Sequence, residues 1–229
     1  VTMPCFGTTS RTRSNAELLC QELGVTFRTV DIGNTVKAHF ADIGHDFNDH
    51  SVTFENGQAR ERTQVLMDIA NQTGGIVIGT GDLSEIALGW CTFNGDHMAM
   101  YNINCSIPKT SIAPLLEYAA ENLPAEAAVI LRDVIDTPVS PELLPPDENG
   151  EIGQKTEAIL GAYELHDYYL WQLLSGVAEP EKLLALAKHA FKDKYPEAEL
   201  VRVRDLFMKR FFTQQFKRTA APDGIQAGP

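Results

Sequence analysis

The stretch Ile76-Val77-Ile78-Gly79-Thr80-Gly81-Asp82-Leu83-Ser84-Glu85 carries the strongest indication of the fold. Three β-branched apolar residues predict a buried parallel strand, and the two glycines predict a tight turn at its carboxyl end. Asp82 and Glu85 have the spacing of a capping box, which begins a helix. Such a turn directs backbone N–H groups and a hydroxyl at an anion, and open α/β sheets bind ligands at this end of their strands.

Two other interpretations of the turn stay open at this point. The capping box alone would justify both acids. A Rossmann-type dehydrogenase would also use Gly79-x-Gly81, although its third small residue would have to be Ser84. That class further needs an acid at a strand end about 20 residues after the turn, to bind the ribose hydroxyls. Asp96 comes too early for this role and lies in a predicted loop.

Alternating strands and helices surround this turn. A capping box at Ser14 and Glu17 predicts a helix to about Gly24, and alternation predicts a strand over 26–32. Val1-Thr2-Met3-Pro4 has the pattern of the end of a strand and precedes that helix. We therefore expect the two strands to form a parallel pair joined by a helical crossover. Helical periodicity predicts further helices over 35–43, 54–72, 109–123, 125–135, 163–174, 180–194 and 198–218. We therefore expect a parallel-sheet nucleotide-binding core over 1–136 and a helical extension over 137–229.

Composition excludes several classes of protein. With 19 basic and 31 acidic residues, the net charge of -12 argues against a nucleic-acid-binding surface. The longest apolar stretches, 75–78 and 127–131, are far shorter than the roughly 20 residues that span a membrane, and no signal peptide is visible. The four cysteines are widely spaced without a CxxC pair, which predicts neither zinc nor a disulfide framework and favours a cytoplasmic location.

The segment 90–104 fits neither helical nor strand periodicity, yet it is crowded with aromatic and amide side chains. Such a loop exposes apolar surface unless it is packed or liganded. Together with Phe54-Glu55-Asn56-Gly57-Gln58-Ala59-Arg60 and Pro108-Lys109-Thr110, this segment closely resembles the NAD synthetase family. The resemblance extends over nearly the whole chain and is closest to the glutamine-dependent members.

This resemblance implies an α/β fold of the adenine-nucleotide α-hydrolase type, with an open parallel sheet, flanking helices and a helical C-terminal extension. It implies ATP-dependent amidation of deamido-NAD through an adenylated intermediate, with AMP and pyrophosphate released. ATP is then a co-substrate and Mg²⁺ a cofactor, and ammonia comes directly or from glutamine. The family further implies a homodimer or higher homo-oligomer and an N-terminal glutaminase domain in the full-length protein.

The resemblance also implies a role for individual residues. ATP would be bound by Thr80, Lys109 and, by a looser match, Ser140. Glu85 would be the magnesium ligand, and Asp96 and Lys109 would be the catalytic groups. Deamido-NAD would be bound by Asn56, Arg60, Glu85, Trp90, Cys91, Thr92, Phe93, Asp96 and Lys217.

Simpler interpretations of three of these cations remain. Arg60 suits the solvated face of a helix, and Lys217 suits a helix C-terminus. Lys109 suits the first turn after Pro108. A cation in that turn opposes the helix dipole, however, so a bound phosphate would explain it better.

One family feature is missing from the sequence. The Ser-Gly-Gly-x-Asp-Ser pyrophosphate loop, which in the family precedes the strand at Val1, does not occur in residues 1–229. We therefore expect residues 1–229 alone to be inactive. A non-catalytic dimeric module that binds the ligand is the remaining alternative for this fragment.

Overall fold

Short parallel strands and eleven helices make up the part of the chain that the computed structural model describes, residues 1–137, 140, 143–145 and 156–227. The strands are β1 (Ile78–Gly79) and β2 (Tyr101–Asn102). The helices are α1 (Ser10–Glu22), α2 (Gly33–Asp42), α3 (Val52–Thr73), α4 (Leu83–Leu88), α5 (Lys109–Glu121), α6 (Ala125–Ile135), α7 (Thr156–Leu160), α8 (Tyr163–Leu174), α9 (Pro180–Ala190), α10 (Glu197–Thr213) and α11 (Gln215–Arg218).

These elements form two compact units that interleave along the sequence. Unit 1 contains Val1–Val77, Asn94–Asp96 and Ala113–Lys155. Unit 2 contains Ile78–Phe93, His97–Ile112 and Thr156–Pro229. The predicted boundary between 136 and 137 divides the chain by its secondary-structure content instead, and it stays a prediction.

Unit 1 has its own apolar core between α2 and α3. Ile32, Val36, Phe40 and Phe54 are almost fully buried there, and the rings of Phe40 and Phe54 lie 5.6 Å apart. A second cluster, formed by Ala120, Ala128 and Leu131, packs where α1 meets α6. Buried apolar surface of this kind is the main source of stability for such helices.

Unit 2 consists of the β1–β2 pair and a larger helical core. The two strands are parallel, with Ile78 opposite Tyr101 and Gly79 opposite Asn102. Gly224 near the C-terminus makes a further parallel bridge to Asn102. Helices α4, α8, α9 and α10 enclose the core, whose largest fully buried side chains include Tyr169, Phe207, Leu88, Leu165 and Leu183.

Several predicted elements agree with the structure. The α/β class with parallel pairing is confirmed, because β1 pairs with β2 and Thr2 makes a parallel bridge to Thr29. Helices α6 and α8 have their predicted bounds, Ala125–Ile135 and Tyr163–Leu174. Gly74 ends α3 as predicted, since its φ of 66° is a left-handed conformation that glycine adopts readily.

Other predictions were wrong in detail. Helix α1 begins at Ser10 because Thr9, rather than Ser14, is the N-cap and accepts a hydrogen bond from the Thr12 amide. The strand predicted as buried is largely exposed, since Ile76 and Ile78 are 65% and 44% exposed. The segment predicted as irregular contains β2, because pairing with a distant strand can impose a local structure that periodicity does not show.

Most of the segment 137–153, which is rich in proline and acidic residues, lies outside the described residues. Among the residues that the structure describes, no helix is both long and apolar enough to cross a membrane.

Close packing between α2 and α3 leads to a test of unit 1. A Cβ at Gly57 would lie 2.6 Å from Cε1 of the buried Phe40 ring. We expect Gly57→Ala to lower the free energy of unfolding by about 1 kcal/mol, because overpacking of about 1–3 kcal/mol outweighs the gain in helix propensity. Urea denaturation measures the change. Asn71→Ala, at an exposed position of the same helix, is the control and should leave stability unchanged or slightly raised. A stabilised Gly57→Ala variant would contradict the packing argument.

Candidate functional site

The Gly79-Thr80-Gly81 turn begins at the last residue of β1 and is held in place by side chains at the end of β2 and just after it. Asn102 donates a hydrogen bond from Nδ2 to the Gly81 carbonyl at 2.9 Å, and Asn104 donates one to the Thr80 carbonyl at 3.3 Å. A side chain at Gly79 would approach the Cβ of Ala99 to 2.8 Å, so glycine is required for this close packing. Thr80 itself is exposed at the tip of the turn.

The predicted capping box at the start of α4 is present in full. Asp82 accepts a hydrogen bond at Oδ1 from the Glu85 amide at 2.9 Å, and Glu85 accepts one at Oε2 from the Asp82 amide at 3.1 Å. Asp82 is almost completely buried, at 2% exposure. A buried carboxylate needs such partners, because its desolvation is costly.

Lys109 brings its ammonium group to both members of this capping box. Its Nζ lies 3.0 Å from Oδ2 of Asp82 and 2.7 Å from Oε1 of Glu85. The Tyr163 ring lies below the ammonium, with its centroid 5.6 Å from Nζ. Lys109 is the first residue of α5, so a side chain that opposes that helix dipole is stabilised by two carboxylates and an aromatic face.

The electrostatics of this group follow from burial and charge. Burial, followed by the nearby charge of Glu85, raises the pKa of Asp82 to about 6, although Lys109 acts in the opposite direction. Burial lowers the pKa of Lys109, but the charges of Glu85 and then Asp82 outweigh it, so that pKa is raised overall. Burial is also the main reason why the pKa of Tyr163 is raised. Lys109 is therefore protonated at neutral pH, and it neutralises one of the two acids.

The other end of α4 is surrounded by cations from the C-terminal helices. Arg210 donates from Nε to the Leu88 carbonyl at 2.9 Å, and Arg218 donates to the Ala87 carbonyl at 2.9 Å. Lys217 donates from Nζ to the Gly89 carbonyl at 2.9 Å and also to the carbonyl of Cys91. Cations at the carboxyl end of a helix satisfy its free carbonyls and complement its dipole.

The predicted run from Trp90 to Phe93 forms the turn after α4. The guanidinium of Arg210 lies 5.0 Å from the Trp90 ring centroid. His97 donates from Nδ1 to the Thr92 carbonyl at 3.0 Å, and Phe93 packs between the rings of His97 and Phe216, with centroids 5.9 Å and 5.3 Å away. Aromatic packing therefore accounts for much of this segment.

The structure places the remaining predicted residues in unit 1. Asn56 and Arg60 lie one turn apart on α3 and so share one side of that helix. Asp96 is an exposed loop residue, and Ser140 is partly buried. Among the predicted site residues, Lys109 contacts Glu85, and Lys217 contacts the carbonyl of Cys91. The functional roles predicted for all of these residues stay predictions.

Several residues of this site were absent from the predictions. Ser84 is buried beside Asp82, and its place within the glycine-turn motif was a signal in the sequence. Asn102, Tyr163, Asp167, Arg210 and Arg218 carry no such signal, since each becomes part of the site only through folding.

Glu85 has suitable chemistry for the predicted magnesium ligand, but its two oxygens are bonded to other groups. Carboxylate oxygens are the ligands that a hard cation prefers. Both oxygens of Glu85 are already engaged, by the Asp82 amide and the Lys109 ammonium. Across the described part of the chain, no group of three or more His, Cys, Asp or Glu residues is arranged to hold a metal ion.

The fold and the site define an α/β protein with a glycine turn and a lysine at the carboxyl end of a parallel strand. A sequence model described as NAD synthase matches residues 1–220. The chain therefore belongs to the NAD synthase family.

Sequence relatives agree with this assignment. The glutamine-dependent NAD(+) synthetase of Mycobacterium leprae is 42% identical over 247 residues, covering 97% of this chain and 36% of the relative. The glutamine-dependent NAD(+) synthetase of Acinetobacter baylyi is 32% identical over 173 residues, covering 75% of this chain and 30% of the relative. The chain thus spans about a third of the length of these relatives.

Solved structures support the fold. A glutamine-dependent NAD(+) synthetase from Cytophaga hutchinsonii has a TM-score of 0.74 at 17% identity, covering 97% of this chain and 35% of that chain. An NMN synthetase from Francisella tularensis has a TM-score of 0.66 at 21% identity, covering 93% of this chain and 74% of that chain. At these identities the likeness bears on the fold alone.

The raised pKa of Asp82 predicts a change of stability with pH. Its folded-state pKa of about 6 lies above the ordinary 3.8, so its contribution to stability is present below the ordinary value and is lost as pH rises through about 6. We therefore expect Asp82→Asn to gain stability relative to the parent between about pH 4 and pH 7, measured by urea denaturation.

Glu164 provides a control of opposite sign. A hydrogen bond from Lys194 lowers the pKa of Glu164, so its contribution to stability is lost as pH falls. Relative to the parent, Glu164→Gln should therefore lose stability as pH rises, whereas Asp82→Asn gains it. A pH-independent difference for Asp82→Asn would refute the buried-carboxylate interpretation.

Proposed function

We propose that this chain is the synthetase part of an enzyme that amidates deamido-NAD to NAD at the expense of ATP. The observation that carries the proposal is the contact of Lys109 with Asp82 and Glu85 beside the glycine turn, in a chain of the NAD synthase family. This arrangement places a protonated lysine at a strand end, where open α/β sheets bind ligands, and its ammonium becomes available to an anionic nucleotide when it exchanges partners with the two carboxylates.

The proposed reaction has two steps. A carboxylate oxygen of deamido-NAD attacks the α-phosphorus of ATP, and pyrophosphate leaves. Ammonia then attacks the carbonyl carbon of the mixed anhydride, and AMP leaves with the electron pair of the broken C–O bond. Adenylation is needed because a free carboxylate has no suitable leaving group. The protein mainly positions the substrates and neutralises charge.

Named residues take the following proposed roles. Lys109 binds the ATP phosphates, with Thr80 and Ser140 also at the nucleotide. Asp96 accepts the proton lost from incoming ammonium. Deamido-NAD is bound by Asn56, Arg60, Glu85, Trp90, Cys91, Thr92, Phe93, Asp96 and Lys217.

Lys109 has to exchange partners when the nucleotide binds. Its ammonium is engaged by Asp82 and Glu85, and the ATP phosphates compete for it with more negative charge. Once Lys109 turns to the phosphates, one oxygen of Glu85 is released. Glu85 would then hold Mg²⁺, which supplies neutralisation of the phosphate charge.

The whole protein would contain more than this chain. Because glutamine-dependent relatives are about three times as long, we propose that an N-terminal glutaminase domain supplies the ammonia. We also propose a homodimer, supported by exposed apolar side chains in unit 1 such as Leu115, Tyr118 and Val129. The four free cysteines suit a cytoplasmic enzyme.

The reaction can be tested on the purified whole protein with ATP, Mg²⁺, ammonium and deamido-NAD. We expect NAD, AMP and pyrophosphate in equal amounts, measured by liquid chromatography. Nicotinate mononucleotide serves as the competing substrate, since one fold neighbour is an NMN synthetase. Faster formation of NMN would overturn the proposed substrate, and ADP as product would overturn adenylation. Binding of deamido-NAD without turnover would indicate a non-catalytic module.

The role of Glu85 can be separated from its role in the helix cap. In Glu85→Gln the amide oxygen still accepts from the Asp82 amide, so we expect the melting temperature to change little. A charged oxygen ligand is lost, however, and we expect turnover to fall by about 100-fold or more. Glu121→Gln, an exposed position in α5, is the control. If Glu85→Gln retained the parent's activity at ordinary magnesium concentration, Glu85 would be a helix cap alone.

A further inference from the structure

Asp167 on α8 makes three hydrogen bonds at the edge of the proposed site. Its Oδ2 accepts from the backbone amide of Thr110 at 2.9 Å and from the Thr110 hydroxyl at 2.7 Å. Its Oδ1 accepts from the Ser84 hydroxyl. The same Ser84 oxygen accepts from the backbone amide of Lys109 at 2.8 Å. The Thr110 amide therefore bonds directly to the Asp167 carboxylate, and the Lys109 amide is linked to the same carboxylate through the Ser84 hydroxyl.

This carboxylate compensates for a weakness at the start of α5. The first turn of α5 contains no acidic residue and begins with the cation Lys109, which opposes the helix dipole. Asp167 supplies the negative charge from another helix. Ser84 is 1% exposed, so water does not replace Asp167 as the acceptor for its hydroxyl. Loss of Asp167 would leave the buried Ser84 hydroxyl without this acceptor, at substantial cost, and would also remove the acceptor of the exposed Thr110 amide.

Helix α8 acts on both the backbone and the side-chain ammonium of Lys109. Asp167 acts on its backbone through Ser84 and Thr110, whereas Tyr163, one turn earlier on α8, places its ring 5.6 Å from the Lys109 ammonium. Asp167 does not contact the ammonium through any of these bonds. Its effect on Lys109 is therefore indirect and is exerted on the position of the helix start.

We propose that Asp167 is a positioning residue that fixes the first turn of α5 and thereby aims Lys109 at the nucleotide. This inference rests on the proposed function, in which Lys109 binds the phosphates of ATP. Displacement of such a group by about 1 Å can cost about 100-fold in rate. Residues that hold a functional side chain in place therefore contribute to its function.

A first experiment needs no substrate. Hydrogen exchange of the Lys109 and Thr110 amides is compared between the whole parent protein and Asp167→Asn. We expect exchange at these two amides to accelerate by about 10-fold or more, while amides in the middle of α10 keep their rates. Glu164→Gln, on the same helix but hydrogen-bonded to Tyr195 and Lys194, is the matched control. Unchanged exchange in Asp167→Asn would overturn the proposal, whatever the protein catalyses.

A second experiment asks whether Asp167 acts through Lys109. We expect Asp167→Asn to lower kcat/KM for ATP by about 10- to 100-fold, with KM for deamido-NAD nearly unchanged. In a Lys109→Met background the same substitution should have little further effect, because contributions that share one route are not additive. Additive losses, or an unchanged kcat/KM for ATP, would overturn the positioning role.

Two more variants keep the proposal testable if Asp167→Asn does not fold. Ser84→Ala removes the link between Asp167 and the Lys109 amide, and Thr110→Val removes one hydroxyl donor without changing charge. Both variants should lower kcat/KM for ATP, as Asp167→Asn does, and an increase in either variant would contradict the proposal. A parent protein that makes no NAD, yet shows the expected exchange pattern, would reject the proposed reaction and leave the positioning of Lys109 intact.

Discussion

The ammonium of Lys109 between the carboxylates of Asp82 and Glu85 is the interaction on which the arrangement of the site depends. Asp82 is buried, and a buried charge without a partner would be costly enough to change its protonation state or the local structure. Lys109 supplies that partner while Asp82 and Glu85 also cap α4. The same three groups therefore determine how α4 starts and where the Lys109 ammonium lies beside the glycine turn.

Helix α4 shows how a very short helix is made stable by its surroundings. At six residues it is far below the length at which an isolated helix persists in water. Its N-terminus is capped by Asp82 and Glu85, and its C-terminal carbonyls accept hydrogen bonds from Arg210, Lys217 and Arg218. Because the glycine turn leads directly into α4, fixing both ends of the helix also fixes the turn.

These contacts change the interpretation of two residues that the family resemblance singled out. Lys217 bonds to the carbonyls of Gly89 and Cys91, so part of its contribution is to hold the end of α4. The Lys109 ammonium is shared with two acids, so its proposed binding of phosphate is an exchange of partners. The positioning role proposed for Asp167 is consistent with this exchange, in which Lys109 would stay in place while its ammonium changes partners.

Local chemistry in the sequence determined the helix bounds of α6 and α8, the left-handed stop at Gly74 and the capping box of Asp82 and Glu85. Each depends on neighbours within a few residues, which is why periodicity and capping rules were sufficient. The sequence motifs also indicated the NAD synthase family. Tertiary structure alone decided the strand at Tyr101–Asn102 and the partners of Asp167 and Arg218. Those contacts join residues that are far apart along the chain, and no local pattern encodes which distant group will satisfy a buried hydrogen bond or charge.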